Sequence, residues 1–339
     1  MATIKDVARL AGVGVGTASR VISGRGPVSP ETAARVQAAI AELDFRPSLI
    51  ARALSAKSLG TIGVFVPDFG GAYYAPILRV VDQELRKVDR HMVAANGCGH
   101  GGAREQAMEG IEFLIQRECD GILVVSYDIT DEDLIGFQRK QPNIAVVNGN
   151  ADALGDACFS FDHYAGGRLA AKTLVEYGHQ RIAVITGPDR APDNRERVSG
   201  FFDGLAECGI PREAVISLES DFSLLGGWNA AQQLLERRSE FTALFVANDE
   251  MALSALSRLQ SAGIRVPEDI SLVGYDDIDL SAFSAPRLST VHVPLRELVL
   301  SSVNWLLERC YGMKNPVNRE FDVSLTLRDS LAVRDAPAK

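Results

Sequence analysis

Polar and aromatic side chains lie at or just after the ends of several apolar runs in this chain. Asn148, Asn248 and Asp276 occupy such positions, and Asp68 and Tyr73 lie in the loop after the first run of the α/β part. Carboxylate and amide groups bind paired hydroxyls, and an aromatic face packs against the C–H surface of a sugar ring. These residue types predict a binding site for a small sugar-like molecule.

Acidic neighbours of these residues allow other interpretations. Asp249 has the position of an acid in the first turn of a helix, where the helix dipole favours it, and we prefer that interpretation to a ligand contact. The pair Asp276-Asp277 could suggest an enzyme, but adjacent strand residues point to opposite faces. The chain contains no G-x-S-x-G, HExxH or P-loop motif, so we expect neither an enzyme nor a cofactor.

A metal site is equally unsupported. His91, Cys98 and His100 lie close together along the chain, but their spacing matches no standard zinc pattern. We therefore expect no bound metal.

A second set of residues near the N-terminus has the chemistry of base recognition. Arg20 can bind the O6 and N7 acceptors of guanine, and Val15 offers apolar surface to a thymine methyl. Gly16 has no side chain with which to read a base. Thr17 is equally compatible with a phosphate contact and with a bond to its own backbone, and Thr3 completes the candidate DNA contacts.

Short helices must position these residues. The first begins at the capping box Thr3-Ile4-Lys5-Asp6 and ends at Gly12. The second spans 15–22, and the third begins at Ser29-Pro30-Glu31 and runs to about Leu43. Three short helices with a four-residue turn between the first two predict a helix-turn-helix, whose second helix enters the major groove.

Apolar runs alternate with helical stretches from residue 61 onward, as parallel βαβ units require. Two sets of about four runs predict two similar α/β lobes rather than one wide sheet. The runs are Ile62–Val66, Met92–Ala95, Ile122–Val125, Ile144–Val147, Ile182–Ile185, Val215–Leu218, Leu244–Ala247 and Ile270–Val273. Ligands of such sheets bind at the carboxyl ends of the strands, where the polar residues named above lie.

Composition and charge agree with this division. The 339 residues fit two or three domains and carry a formal charge of −9, but residues 1–60 carry eight Lys/Arg against four Asp/Glu, or +4, and the remainder −13. A basic module on an acidic body suits phosphate attraction at one end. Five scattered cysteines and an N-terminus without an apolar signal segment predict a cytoplasmic protein.

Several motifs together resemble the lactose/galactose repressor (LacI/GalR) family, and most closely its galactose repressors. The motifs follow one another along the whole chain: MATIKDVARLAGV, TASRV, VSPETAARVQAAIAEL, FRPSLIARALSAKSLGTIGV, YGHQRIAVITGP, VANDEMALSAL and ISLVGYDD. The resemblance implies a DNA-binding headpiece, a hinge helix, and a core like the periplasmic sugar-binding proteins, working as a dimer or tetramer. No leucine-heptad tail follows Arg328, so we expect a homodimer.

The resemblance also implies roles for individual residues. Arg197 matches the family's effector-binding arginine, and Phe222 aligns with its ring-stacking aromatic. Ser48, Ala51 and Leu54 belong to the implied hinge helix, in which Leu54 would insert between base steps of the minor groove. Glycines at 14 and 16 and the amide at 148 depart from the usual family pattern, which weakens inference about one base pair and about which sugar binds.

We therefore expect a headpiece at 1–46, a hinge and linker at 47–60, and a two-lobed core at 61–339. The lobes would comprise about 61–160 plus 291–320, and about 161–290 plus 321–339. The expected function is repression of sugar-utilisation genes from a palindromic operator, relieved by a sugar effector. The alternatives are a regulator whose ligand tightens DNA binding and, less favoured, a periplasmic sugar-binding receptor. We expect no association with a membrane.

Overall fold

The computed structural model describes residues 2–23, 26–45, 58–148 and 154–334. The chain divides into two compact units, one of residues 1–61 with 118–120 and the other of the remaining residues. In the described residues no helix is long and apolar enough to cross a membrane.

The described residues of the N-terminal unit contain the three helices that the sequence predicted. They are α1 (Ile4–Leu10), α2 (Val15–Ser23) and α3 (Pro30–Glu42). The capping box at Thr3 and Asp6 is present, and the Ser29 hydroxyl accepts a hydrogen bond from the Thr32 amide at the start of α3. Gly12 has φ +65°, the left-handed conformation that ends a helix without a Cβ penalty. The small core contains Val7, Ala8, Ala11, Ala18, Val36 and Ala39.

Two sheets form the second unit, and each has a buried centre. The first has the strand order β2-β1-β3-β4-β5, and the second β11-β10-β9-β8-β6-β7. The first comprises β1 (Thr61–Val66), β2 (His91–Asn96), β3 (Gly121–Val125), β4 (Ile144–Val147) and β5 (Cys158–Phe159). The second comprises β6 (Ile182–Thr186), β7 (Ile216–Glu219), β8 (Ala243–Val246), β9 (Ser271–Asp276), β10 (Ser289–His292) and β11 (Ser324–Thr326).

Parallel pairing joins β1 to β3, β3 to β4 and β4 to β5, and likewise joins β7, β6, β8, β9 and β10 in sequence. Among the described residues, the edge strand β11 is the only strand that pairs antiparallel, and its partner is β10. The carboxyl ends of the parallel strands therefore lie along one edge of each sheet.

Among the described residues, eight α-helices cover these sheets. They are α4 (Tyr74–Arg86), α5 (Ala103–Gln116), α6 (Asp131–Lys140), α7 (His163–Glu176), α8 (Pro192–Glu207), α9 (Leu224–Leu235), α10 (Asp249–Ser261) and α11 (Leu295–Tyr311). Helices α5 and α11 pack against strands of the first sheet, and α7, α9 and α10 against strands of the second. We call the first sheet with α4, α5, α6 and α11 lobe 1, and the second sheet with α7–α10 lobe 2.

Three strands were not predicted from the sequence. Strands β5 and β11 have two and three residues, too few to give a period-two pattern, and β10 has the sequence Ser-Thr-Val-His, which is not an apolar run. The predicted strand at 270–273 continues to Asp276, which makes Asp276 the last residue of β9.

Candidate functional site

A cavity of about 240 Å³ lies between the two lobes at the carboxyl ends of their strands. All seven residues expected to contact an effector line it: Asp68, Tyr73, Asn148, Arg197, Phe222, Asn248 and Asp276. Three segments of lobe 1 and four of lobe 2 contribute to its wall, which is the position expected for a ligand of parallel sheets. The structure thus brings the whole predicted set together.

Arg197 forms the floor of the cavity. Its guanidinium is buried, lies 3.7 Å from the centroid of the Tyr275 ring, and donates hydrogen bonds to the Ala247 carbonyl and, at 3.4 Å, to Asp193. Its Nε has no partner among the described residues. Position 193, left unassigned by the sequence, therefore belongs to the site with Arg197.

Asp276 presents a carboxylate to the cavity. Within the part of the chain that the structure describes, this carboxylate makes no hydrogen bond, and its backbone has φ 112°. Burial raises the pKa of Asp276 well above its usual value, and Arg197 opposes this only in part. A carboxylate held in this way has its hydrogen-bonding capacity left for a ligand.

A chain of buried polar groups links the two lobes beneath the cavity. The Asn148 amide donates to the Tyr73 hydroxyl at 3.3 Å, and its oxygen lies 3.3 Å from His163 Nε2. His163 Nδ1 lies 3.2 Å from the Tyr275 hydroxyl. Burial and the Arg197 charge lower the pKa of His163 well below its usual value, so the ring is neutral, with Nε2 as the donor to Asn148.

Two aromatic rings form one wall of the cavity. Phe222 and Tyr127 meet edge to face with their centroids 6.0 Å apart. Phe222 has φ 67°, and its carbonyl accepts a hydrogen bond from the Asn248 amide. A Cβ at position 187 would lie 2.2 Å from the Phe222 ring, so Gly187 is required for this placement. Asn248 also caps α10, which makes it a positioning residue as well as a lining one.

Asp249 does not line the cavity. It lies in the first turn of α10, as the sequence predicted, but its fully buried carboxylate binds the Ile278 amide and the hydroxyls of Ser281 and Thr290. Burial, opposed by these hydrogen bonds, raises the pKa of Asp249 to about 7. These contacts fix the segment that follows Asp276. Asp277, by contrast, points away from the cavity and binds His292, Thr326 and Arg328.

Sequence reasoning missed several lining residues. Ser126 and Tyr127 follow β3, and Asp221 follows β7, so the strand-end rule applied at every strand would have found them. Glu250 gave no such signal. Its Oε1 accepts hydrogen bonds from the amides of Ala72, at 2.6 Å, and Tyr73, at 3.4 Å, and so joins lobe 2 to lobe 1.

No described group of three or more His, Cys, Asp or Glu residues is arranged to hold a metal ion. Cys98 is exposed and lies near the Asn96 amide, 3.1 Å from it.

The N-terminal unit exposes the candidate base-reading residues. Val15 is 45 % exposed, and Gly16 and Arg20 are also exposed at the start and on the second turn of α2. The Arg20 Nε donates to the Gly16 carbonyl at 3.3 Å, while Thr17 is half-buried. Thr3 is exposed, and its hydroxyl is bonded to Asp6. Ser48, Ala51 and Leu54 lie outside the described residues.

Comparison with known families gives two matches. Residues 3–48 match the family described as "Bacterial regulatory proteins, lacI family", and residues 171–331 match the "Periplasmic binding protein-like domain". The first match covers the helix-turn-helix unit, and the second covers most of lobe 2.

Individual proteins resemble the chain over nearly its whole length. The transcriptional repressor PurR of Vibrio atlanticus is 36 % identical over 91 % of this chain and 92 % of its own, and the regulator GalS of Salmonella typhimurium is 33 % identical over 92 % and 91 %.

Two solved structures have the same fold. A LacI-family transcriptional regulator from Burkholderia phymatum is 52 % identical, with a TM-score of 0.79 over 80 % of this chain and 99 % of its own. The lac repressor dimer bound to operator and the anti-inducer ONPF is 30 % identical, with a TM-score of 0.85 over 98 % and 99 %.

Proposed function

Because the chain belongs to the LacI family of bacterial transcriptional regulators, we propose that it represses sugar-utilisation genes and is released from its operator by a small sugar. The cavity between the lobes carries this proposal. It places the Asp276 carboxylate, the Arg197 guanidinium and the Phe222 ring around one space, which suits the hydroxyls and the C–H face of a sugar.

The N-terminal unit supports DNA binding through α2. Its first residues are exposed, and the helix follows α1 after a short turn, which is the arrangement that places a recognition helix in the major groove. The formal charge of +4 on residues 1–60 attracts the phosphate backbone. A protein of this kind acts in the cytoplasm, and nothing in the cavity calls for an enzymatic step.

Exposed apolar residues on lobe 2 support a homodimer. Leu224 and Leu225 are adjacent at the start of α9, and Leu280 and Phe283 belong to one segment after β9, where Phe283 is 84 % exposed. A second copy of the chain would remove this apolar surface from water. A two-fold dimer would present two recognition helices to a palindromic operator, with half-site centres about one helical turn apart.

Operator selection followed by footprinting tests the DNA part of the proposal. The full chain should protect a two-fold symmetric site, and protection of one asymmetric half-site would contradict it.

A gel-shift titration with a sugar that stabilises the protein tests release. We expect the sugar to weaken the protein–operator complex. A sugar that tightens the complex would instead favour the corepressor alternative, which remains the second candidate within the same family.

A further inference from the structure

Resting on the proposed function, we infer that the cavity discriminates by charge: it takes a neutral or cationic polyhydroxyl molecule and excludes sugar phosphates and sugar acids. Asp193 and Asp276 are the residues that enforce this discrimination.

Acidic side chains dominate the wall of the cavity. Five carboxylates line it, and Arg197 is the one cationic side chain among the described lining residues. The acids are Asp68, Asp193, Asp221, Glu250 and Asp276. Burial raises the pKa of Asp276, so it contributes less negative charge than the other four acids, but acids still outnumber the one cation. An anionic ligand would meet a net negative surface inside a partly desolvated space, where like charges repel more strongly than in water.

The helices around the cavity do not offset this negative charge. Four of them, α4, α8, α9 and α10, begin near it, and helix N-termini are the usual backbone sites for phosphate. Glu250 already occupies the amides of Ala72 and Tyr73 ahead of α4, and Asp193 lies in the first turn of α8. Asp221 binds the amide and hydroxyl of Ser223, the N-cap of α9.

The first turn of α10 likewise contains two acids, Asp249 and Glu250. Carboxylates of the protein thus already bind amides at the starts of α4 and α9, and acids lie in the first turns of α8 and α10. An incoming phosphate would compete for the bound amides at the first two N-termini and meet a like charge at the other two.

Two buried, unsatisfied atoms belong to residues that line the cavity, and the hydrogen bonds they lack match those of a hydroxyl. Arg197 Nε and Asp193 Oδ1 are both buried and have no hydrogen-bond partner among the described residues. They belong to one ion pair, whose Nη2 and Oδ2 atoms are 3.4 Å apart. A hydroxyl can accept from the nitrogen and donate to the oxygen, and an ammonium can donate to the oxygen. A phosphate or carboxylate oxygen would leave Asp193 Oδ1 unpaired and facing another negative charge.

The volume limits the ligand further. At about 240 Å³, the cavity is smaller than the roughly 300–1,000 Å³ typical of sites for drug-sized molecules. A single sugar ring therefore suits it better than a nucleotide or an oligosaccharide.

A matched ligand series tests the inference on the full chain. For each of galactose, glucose and ribose, the parent sugar is compared by calorimetry and thermal shift with its amino, phosphorylated and acid derivatives. For the sugar that binds best, we expect the parent or amino form to bind at least about 100-fold more tightly than the phosphate or acid.

Variants show which residues cause the discrimination. Asp193→Asn and Asp276→Asn should each raise the absolute affinity for the anionic derivative and narrow the ratio of neutral to anionic affinity by at least about 10-fold. Glu213→Gln, which removes an exposed acid outside the cavity, should leave the ratio unchanged. A loss of folding would lower both affinities, and a lost hydrogen bond to the neutral sugar would lower only the neutral affinity, so a rise in the anionic affinity is the result that reports charge.

Tighter binding of a phosphate or acid than of its parent sugar would overturn the inference, as would an unchanged ratio in both aspartate variants or a series in which no member binds. The proposed function fails separately: a sugar that binds as inferred but leaves operator affinity unchanged in a gel shift contradicts release and leaves the charge discrimination intact.

Discussion

Asp276 lines the cavity and makes few hydrogen bonds that its substitution would remove. Its carboxylate faces the cavity without a hydrogen bond to the described protein, so Asp276→Ala should remove ligand contacts and few protein contacts. We expect sugar affinity to fall by at least about 100-fold, because hydrogen bonds to a charged group contribute on the order of 1.5–3 kcal/mol each. Operator affinity without sugar should stay within about two-fold of that of the parent protein, since base contacts do not involve this residue.

Calorimetry and a gel shift on the same preparation measure the two effects. Sugar affinity equal to that of the parent protein would remove Asp276 from the site.

Asp249 makes stability depend on pH. Its pKa in the folded protein is about 7 against an ordinary value of 3.8, so between these values the folded state binds more protons than the unfolded state. The free energy of unfolding therefore falls as pH rises through this window, by at most about 1.4 kcal/mol per pH unit for one group. Asp249→Asn should give a flatter profile, because the amide does not ionise.

Urea unfolding from pH 4 to pH 8 of the parent protein and the variant checks this, with Glu213→Gln as a control that should keep the original slope. Parallel profiles for the parent protein and Asp249→Asn would show that Asp249 is charged throughout and contradict the prediction.

Residue types at strand ends were sufficient to predict much of the site from the sequence. Asp68, Tyr73, Asn148 and Asp276 all line the cavity because a parallel sheet brings the carboxyl ends of its strands to one edge. Glu250 could not be predicted in the same way. Its partners are backbone amides more than 170 residues earlier in the chain. Every residue except proline has such an amide, so no residue type in the sequence indicates this contact.

Helices that begin at a capping residue could be predicted from the sequence. Short strands that depend on pairing with a strand far away in the chain could not. The caps at Thr3 and Ser29 fixed the starts of α1 and α3 to the residue, because a cap depends on neighbours three positions away. Strand β11 pairs with β10 from more than 30 residues further along the chain, and its three residues contain no period that could reveal it.

At the element scale, Glu250 connects the start of α10 in lobe 2 to the segment that precedes α4 in lobe 1. Glu250→Ala removes the acceptor of these two amides and should let the lobes separate more readily. Because hydrogen bonds to a charged group are worth on the order of 1.5–3 kcal/mol, we expect sugar to dissociate about 10- to 100-fold faster.

Stopped-flow dissociation measures this effect. Glu250→Gln keeps an oxygen acceptor and should give an intermediate rate. A dissociation rate of Glu250→Ala equal to that of the parent protein would show that the contact does not hold the lobes together.

Charge is distributed unevenly over the whole molecule. Residues 1–60 carry +4 and the remaining residues −13, so attraction to DNA is confined to the unit that contains α2. Residues 61–339 are negatively charged and therefore repel DNA phosphates, and the wall of their cavity is acidic as well. The same distribution that directs DNA to one unit thus favours a neutral or cationic ligand in the other.

If sugar binding releases the operator, the affinities for sugar and for operator must be linked. This linkage gives a prediction that measuring either affinity alone does not give. If the sugar weakens operator affinity by some factor, thermodynamic linkage requires the operator to weaken sugar affinity by the same factor. A coupling of 1–3 kcal/mol, typical of such systems, corresponds to about 5- to 150-fold. The coupling should pass through the two lobes, because residues of both line the cavity and a ligand that contacts both can shift how they meet.

Two calorimetric titrations of sugar, one on the free protein and one on the protein saturated with operator, measure the first factor, and gel shifts with and without sugar measure the second. Equal factors, with weaker sugar binding on the operator complex, are the expected outcome. Tighter sugar binding on the complex would make the sugar a corepressor. In Glu250→Ala, a coupling that shrinks while operator affinity stays constant would support lobe closure as the step that joins the two sites, because the variant removes the contact between Glu250 and the amides of Ala72 and Tyr73.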